Sequence, residues 1–294
     1  LSLHGRAQQD LLRYFNEKLK PHYQLIYTAH SPFMIDIENV FSLRTVEDVV
    51  KHEGDPSGQQ VEQILGTKVS DRIFGQNADS VFPLQGVVGF DLAKAFLAGP
   101  YIVVVEGPSE SALFHWFSRH LANKGRIALD VHWIICPAEG ASKISSFVTL
   151  FSSKALRMSV VMDYHEGQKK MVDDLDKSGL LKTGNLKRTT EYCDKEEADI
   201  EDLLGWELYS YLVNKAYGLT GNDALSKEDL GEVRLVKYIE NHFRQLPPNF
   251  PEFEHFKPIR LLIDTEESQV SNLPGINDAL SRFERIFQDI NALQ

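Results

Sequence analysis

Two segments of this sequence run an apolar stretch into a carboxylate. In Tyr101-Ile102-Val103-Val104-Val105-Glu106-Gly107-Pro108-Ser109-Glu110, a fully apolar strand meets Glu106, then a glycine turn and a helix start. In Val160-Val161-Met162-Asp163-Tyr164-His165-Glu166-Gly167 the same order recurs with Asp163. A buried strand gains nothing structurally from a carboxylate at its mouth, whereas a cation site at that edge does. Two such carboxylates on neighbouring parallel strands raise each other's pKa unless a cation intervenes. Magnesium or manganese is the natural ion for an all-oxygen site. Ser109 and Glu110 also have a plainer use, as a helix cap and as a negative charge at a helix N-terminus. His165 has one too, as a hydrogen-bonded surface residue.

More carboxylates follow in Glu196-Glu197-Ala198-Asp199-Ile200-Glu201-Asp202-Leu203-Leu204. Asp199 and Glu201 flank apolar Ile200 and follow the fourth strand-like run, so these two are the candidates for further metal ligands. An acidic stretch before a helix also suits its N-terminus. Pro137-Ala138-Glu139-Gly140-Ala141-Ser142-Lys143 is a glycine-containing turn opening a helix at the same edge. Lys143 and the backbone N–H groups there are candidates for a phosphate contact, with a plain turn capped by Ser142 as the alternative.

The elements that must position these groups alternate regularly. The spacing predicts strands over 101–105, 131–136, 158–162 and 185–190, with helices over 110–124, 142–151 and 168–177 between them. That alternation implies an α/β fold, a parallel sheet covered on both faces with ligands at the strands' C-terminal ends. Before it, Leu11, Leu12, Phe15 and Leu19 fall at helical spacing and Gln24-Leu25-Ile26-Tyr27 reads as a short buried strand. Residues 51–85, rich in Gly, Asp, Gln and Ser, read as a linker with short helical pieces. From 200 to 243 the spacing is mainly helical, Pro247-Pro248 and Pro251 interrupt it, and 280–290 is an amphipathic helix. No repeat or low-complexity tract occurs.

On these motifs the middle of the chain resembles the TOPRIM domain of topoisomerases, primases and several nucleases, which carries Glu-Gly after its first strand and Asp-x-Asp after its third. Here the second motif is Asp163-Tyr164-His165, so its second aspartate is replaced. A second resemblance lies in Tyr27-Thr28-Ala29-His30-Ser31-Pro32-Phe33 and Leu1-Ser2-Leu3-His4-Gly5-Arg6-Ala7-Gln8. These look like the switch-histidine loop and the segment after the Walker B strand in ABC-type ATPases, and the likeness implies that His30 faces a nucleotide's terminal phosphate. No G-x-x-x-x-G-K-[ST] is present, so the nucleotide site would be incomplete and ATP would enter only through a missing N-terminal half.

Together the two halves resemble the overcoming-lysogenization-defect (OLD) family of ATPase-nucleases. The resemblance implies metal-dependent DNA cleavage by a two-metal mechanism, with Mg²⁺ or Mn²⁺ as the ions and Ca²⁺ as a structural substitute. It also implies partnership with the protein's own ATPase domain and a homodimer. Glu106, Glu110 and Asp163 match its metal ligands, with Asp199 and Glu201 completing the set, and Glu106 and Asp163 are the catalytic pair. A catalytic lysine near the C-terminal end is implied as well, and Lys257, just before a strand-like apolar run, is the candidate. The implied organisation is an ATPase remnant at 1–50, a connection at 51–95, a TOPRIM core at 96–204, a helical insertion at 205–255 and a completing segment at 256–294. Two further readings stand beside it: a TOPRIM ribonuclease or nucleotidyl transferase, and a non-catalytic DNA-binding or dimerisation module serving an ATPase.

Composition bounds all of this. The 294 residues are 43% hydrophobic and 25% charged, with 31 Lys+Arg against 42 Asp+Glu for a net charge of −11. That excludes a uniformly basic wrapper of nucleic acid, so DNA contact must rest on a local patch or on metal ions. Cys136 and Cys193 lack metal-ligand or redox spacing, which excludes a zinc module or disulfide framework and points to the cytoplasm. No apolar run approaches the roughly 20 residues of a membrane span. The sequence opens on Leu1 in what reads as a loop, so a fragment of a longer polypeptide is expected.

Overall fold

A computed structural model describes residues 5–29, 31, 34, 44–54, 60–70, 101–138, 140–152, 157–182, 184–226, 233–248 and 250–294. The chain divides into two compact units, Leu1–Phe90 and Asp91–Gln294.

In the first unit, α1 (Gly5–Tyr14) continues into a π-helical turn, Phe15–Leu19. The strand expected at Gln24–Tyr27 does not form: residues 24–29 lack regular structure and Ile26 is 85% exposed. A four-residue run becomes a strand only when a neighbour pairs with it, and among the described residues none does. The expected linker over 51–85 is also corrected where it is described. Strands β1 (Thr45–Gly54) and β2 (Gln60–Ser70) pair antiparallel, from Thr45 opposite Ser70 to Gly54 opposite Gln60. The register shifts between Val49 and Val50. A bulge slips the two-residue alternation by one, which is why the apolar pattern of this hairpin does not read as a strand pair in the sequence. Ser31 donates its hydroxyl to the side-chain carbonyl of Gln8.

The second unit is α/β, with the parallel four-stranded sheet that the alternation predicts. Its strands are β3 (Tyr101–Val105), β4 (Trp133–Pro137), β5 (Arg157–Met162) and β6 (Leu186–Arg188), in the order β4-β3-β5-β6. The fourth strand is shorter than expected, because Thr189–Glu191 turn into a 3₁₀ segment. Helices α2 (Pro108–Asn123), α3 (Ala141–Ser152) and α4 (Glu166–Lys177) connect the strands. Ile102, Val104, Met158, Val160 and Met162 pack with Ile144 and Val148 of α3 and Val172 and Leu175 of α4. The alternating residues Val103 and Val105, also fully buried, serve the opposite face.

Beyond the sheet come α5 (Trp206–Tyr217), α6 (Leu235–Phe243), α7 (Phe256–Ile263), α8 (Glu267–Val270) and α9 (Ile276–Asn291). The strand-like run after Lys257 is therefore a helix. A short apolar run cannot be told from a buried helical segment by periodicity, and Pro258 is tolerated in a first helical turn. Helix α9 packs on α2: Phe283 stacks on Phe117 with centroids 3.9 Å apart and planes at 5°, while Phe114 meets Phe283 and Phe287 edge-on at 5.9 and 5.4 Å. The apolar stripes of these helices are spent inside the chain, since Leu280, Phe283, Ile286, Phe287 and Ile290 of α9 and Leu208, Leu212, Val213, Leu235 and Ile239 of α5 and α6 are buried. Phe283→Ala is expected to destabilise the protein by about 3–5 kcal/mol in urea unfolding, because it opens a cavity between two helices.

The sheet order fixes where a ligand can sit. From β3 the chain passes to β4 on one side and then returns to β5 on the other. A crevice opens where the connections diverge, outside the C-terminal ends of β3 and β5. Glu106 and Asp163 are the residues that follow those two ends.

Candidate active site

Glu106 is 8% exposed, and both of its oxygens are occupied. Oε1 accepts the backbone N–H of Asp163 at 2.9 Å and Oε2 accepts Nε2 of Gln168 at 3.1 Å. The carboxylate thus bridges the ends of β3 and β5. Pro108 opens α2 at a position where its missing N–H costs nothing, which places Glu110 in the first turn. Ser109 Oγ donates to Glu110 Oε2 at 2.9 Å. Gly107 lets this turn close, since a Cβ there would lie 3.2 Å from that oxygen.

The downstream acidic segment reaches the same edge through a backbone latch. Tyr164 and Ala198 exchange N–H···O bonds of 2.9 Å in both directions, and Thr189 Oγ1 donates to the Ala198 carbonyl at 2.6 Å. This pins residue 198 beside the end of β5, so Asp199 and Glu201 enter the crevice, 4% and 5% exposed. Asp202, also buried, has a structural role. It accepts the Asp199 N–H at 2.9 Å and Lys195 Nζ at 2.6 Å.

Three basic groups attend this second half. Arg234 Nη1 donates to Asp199 Oδ1. His165 caps α4 by accepting the Gly167 N–H at Nδ1, 3.2 Å away, and its Nε2 lies 4.0 Å from Asp199 Oδ1. His255 sets Nδ1 3.7 Å from Glu201 Oε1 and Nε2 3.3 Å from Glu240 Oε1.

Burial, before any other influence, raises the pKa values of Glu106, Glu110, Asp163 and Asp199. Neighbouring carboxylates add to it. Glu201 and then Glu106 help to bring Glu110 to about 7, and Glu106 and Glu110 hold Asp163 well above the usual range. Hydrogen bonds from Asp163 N–H and Gln168 partly offset the shift at Glu106, and Arg234 partly offsets that at Asp199. Burial and the neighbouring Arg234 depress His165. At His255, Glu201 and Glu240 outweigh burial and raise the pKa.

The structure therefore brings together Glu106, Glu110, Asp163, Asp199 and Glu201. It does not bring Lys257 to them by any described contact: its ammonium rests 4.0 Å from the centre of the Tyr217 ring. Lys143 sits exposed in the first turn of α3, and the turn before it touches the site through the Gly140 N–H, 2.7 Å from the Glu106 carbonyl. His30 and Glu139 lie outside the described residues. Sequence reasoning missed Gln168, Arg234 and His255. Gln168 had a usable signal, its place in the first turn of the helix that follows Asp163. The other two reach the site only through tertiary packing.

Donor chemistry at this edge suits a hard divalent cation. Four carboxylates carry raised pKa values, and Oδ2 of buried Asp199 has no hydrogen-bond partner among the described residues. As the side chains stand, no three His, Cys, Asp or Glu residues among those described converge closely enough to hold an ion. Fold and site together define an α/β protein with an acidic crevice at the switch point of a parallel sheet. Compared with models of known families and with curated proteins, the chain matches none. No described helix is long and apolar enough to cross a membrane.

Proposed function

We propose that this chain is a divalent-metal-dependent phosphodiesterase that cleaves DNA, built on a TOPRIM-like sheet and forming the nuclease part of an ATPase-nuclease of the OLD kind. The observation that carries this reading is the meeting of Glu106, Asp163 and the Asp199–Glu201 segment at one crevice of the parallel sheet. Glu106 and Asp163 would hold Mg²⁺ or Mn²⁺, with Glu110, Asp199 and Glu201 supplying further oxygens. Such an ion lowers the pKa of a bound water and offsets charge on a scissile phosphate. The chain's own work is to fix the donors: Gln168 and the Asp163 N–H orient Glu106, Ser109 orients Glu110, and the Tyr164–Ala198 latch holds Asp199. With a net charge of −11, a bound cation is also what admits a polyanion to this edge.

One observation favours a second reading. Because no three donors converge as they stand, the same crevice also suits a non-catalytic module serving an ATPase. Supercoiled plasmid and a structured RNA, each incubated with the chain in Mg²⁺, in Mn²⁺ and in EDTA, separate the readings. Metal-dependent nicked or linear plasmid is expected. RNA cut in preference to plasmid moves the assignment to a ribonuclease, and both substrates intact in every buffer leaves the module.

A further inference from the structure

A net charge of −11 denies this chain a general attraction for nucleic acid, so DNA beyond the crevice needs a face cleared of carboxylates. Other cation-bearing helices fail that condition. On α4, Lys169, Lys170 and Lys177 alternate with Glu166, Asp173, Asp174 and Asp176. On α9, Arg282 and Arg285 stand among Asp278, Glu284 and Asp289 and donate to the carbonyls of Leu203 and Tyr192.

Helix α6 differs. Leu235, Val236 and Ile239 bury one side of it, so Arg234, Lys237, Asn241 and Arg244, spaced i, i+3, i+7 and i+10, fall together on the side turned away. No carboxylate interrupts that row. The helix's one acid, Glu240, lies off it with Oε1 3.3 Å from His255 Nε2. Lys237 and Arg244 are exposed, and neither has a carboxylate partner among the described residues. Arg244 gives one of its five N–H groups to Asn241 Oδ1, at 3.1 Å, which leaves the others for an anion.

The row also has a fixed beginning. Arg234 Nη1 donates to Asp199 Oδ1, and its charge acts on Asp163 as well. Leu235 N–H donates to Asp202 Oδ1 at 3.2 Å, which holds the first turn of α6 beside the acidic segment. Burial and then Arg234 depress the pKa of His165, and Lys237 adds to the effect, so its ammonium stands within electrostatic reach of the end of β5. From Lys237 to Arg244 the helix rises about 10 Å, alongside about three phosphates of one DNA strand at about 3.4 Å each.

Resting on the DNA-cleaving reading above, we propose that the outward row of α6 is the DNA-backbone surface of this chain. Lys237, Asn241 and Arg244 hold consecutive phosphates of one strand, and Arg234 marks where that strand enters the crevice. Such contacts position a duplex and read no base sequence.

Fluorescence anisotropy of a short labelled duplex, in EDTA so that no bound cation contributes, tests it. The wild type is expected to bind, with log K falling linearly against log salt. The double variant Lys237→Gln/Arg244→Gln is expected to bind roughly tenfold more weakly in about 50 mM salt and to lower the slope by about 1.8, the share of two phosphates. Lys170→Gln/Lys177→Gln, which removes the same charge from α4, should stay within about twofold, because charges off the contact surface are screened. In plasmid cleavage with Mg²⁺ the α6 variant should need more DNA for half its maximal rate and keep its rate at saturating DNA. Equal losses in the two double variants overturn the inference, since they report net charge and no particular surface. It is also overturned, with the nuclease reading left standing, by a wild type that cuts plasmid but binds no duplex in EDTA, or by an α6 variant that binds and cuts as the wild type does. A wild type that neither binds nor cuts DNA overturns both. Tighter binding of an RNA duplex with the same dependence on Lys237 overturns the assignment to DNA. Should the α6 double variant fail to fold by circular dichroism, Lys237→Gln alone decides: a slope lower by about 0.9 is expected, and an unchanged slope sinks the idea.

Discussion

Glu106→Ala is expected to lower metal-dependent plasmid cleavage by about a hundred- to a thousandfold or more while leaving the protein folded. The carboxylate is buried, and its two oxygens bind groups from both strand ends of the crevice. Removing it has two opposed effects on stability. The Asp163 N–H loses its acceptor, worth about 1–3 kcal/mol if water does not replace it. Against this, a buried charge that repels Asp163, Asp199 and Glu201 disappears. These terms are of similar size, so the melting temperature should change little and a loss of activity cannot be traced to unfolding. Gln168→Leu removes only a partner of Glu106 and should cost less, about 10–100-fold. Asp174→Ala, at an exposed position of α4, should cleave like the parent. Equal cleavage rates for Glu106→Ala and Asp174→Ala would remove Glu106 from the chemistry.

The sequence carries the sheet well because parallel strands buried on both faces are near-continuous apolar runs, and 101–105 and 158–162 could hardly be anything else. A carboxylate closing such a run stands out for the same reason, which made Glu106 and Asp163 legible. The loop carrying Asp199 was legible in its charge, but its arrival at the crevice depends on the Tyr164–Ala198 backbone exchange, and no side-chain pattern announces a backbone bridge. Arg234 and Asp199 are 35 residues apart, and His255 lies further along again. Such pairs are chosen by how α6 and α7 pack, which periodicity does not encode. Lys257 shows the converse error. Its run, Phe256-Lys257-Pro258-Ile259-Arg260-Leu261-Leu262-Ile263, is apolar enough for a strand, yet Ile259 and Leu262 bury one helical face and the ammonium turns to Tyr217. The hairpin at 45–70 was hidden by one bulge, which puts the apolar residues on its two sides in opposite parity.

The metal-free protein is expected to lose stability as pH rises from about 4.5 to about 7, and a divalent cation is expected to restore it at the upper end. Burial and neighbouring carboxylates move Glu110 from its ordinary 4.5 up to about 7. Between those values the folded protein keeps a proton that the unfolded chain has released. Stability is then fully present below about 4.5 and is lost as pH climbs through about 7. Glu106, Asp163 and Asp199, also raised, act in the same direction, whereas depressed His165 acts in the opposite one. To isolate Glu110, wild type and Glu110→Gln are melted side by side in EDTA from pH 4.5 to 8. The variant, with no charge to acquire, should fall behind or match wild type at the acid end and exceed it at pH 8. Mg²⁺ at a hundred times its dissociation constant should stabilise the wild type at pH 8 by about 2.7 kcal/mol, roughly 5–10 °C, and release protons as it binds. Glu110→Gln, already relieved of the repulsion but short of an oxygen, should gain much less. Parallel melting curves for the two proteins across this range, with and without Mg²⁺, would show that Glu110 neither holds the extra proton nor exchanges it for a cation.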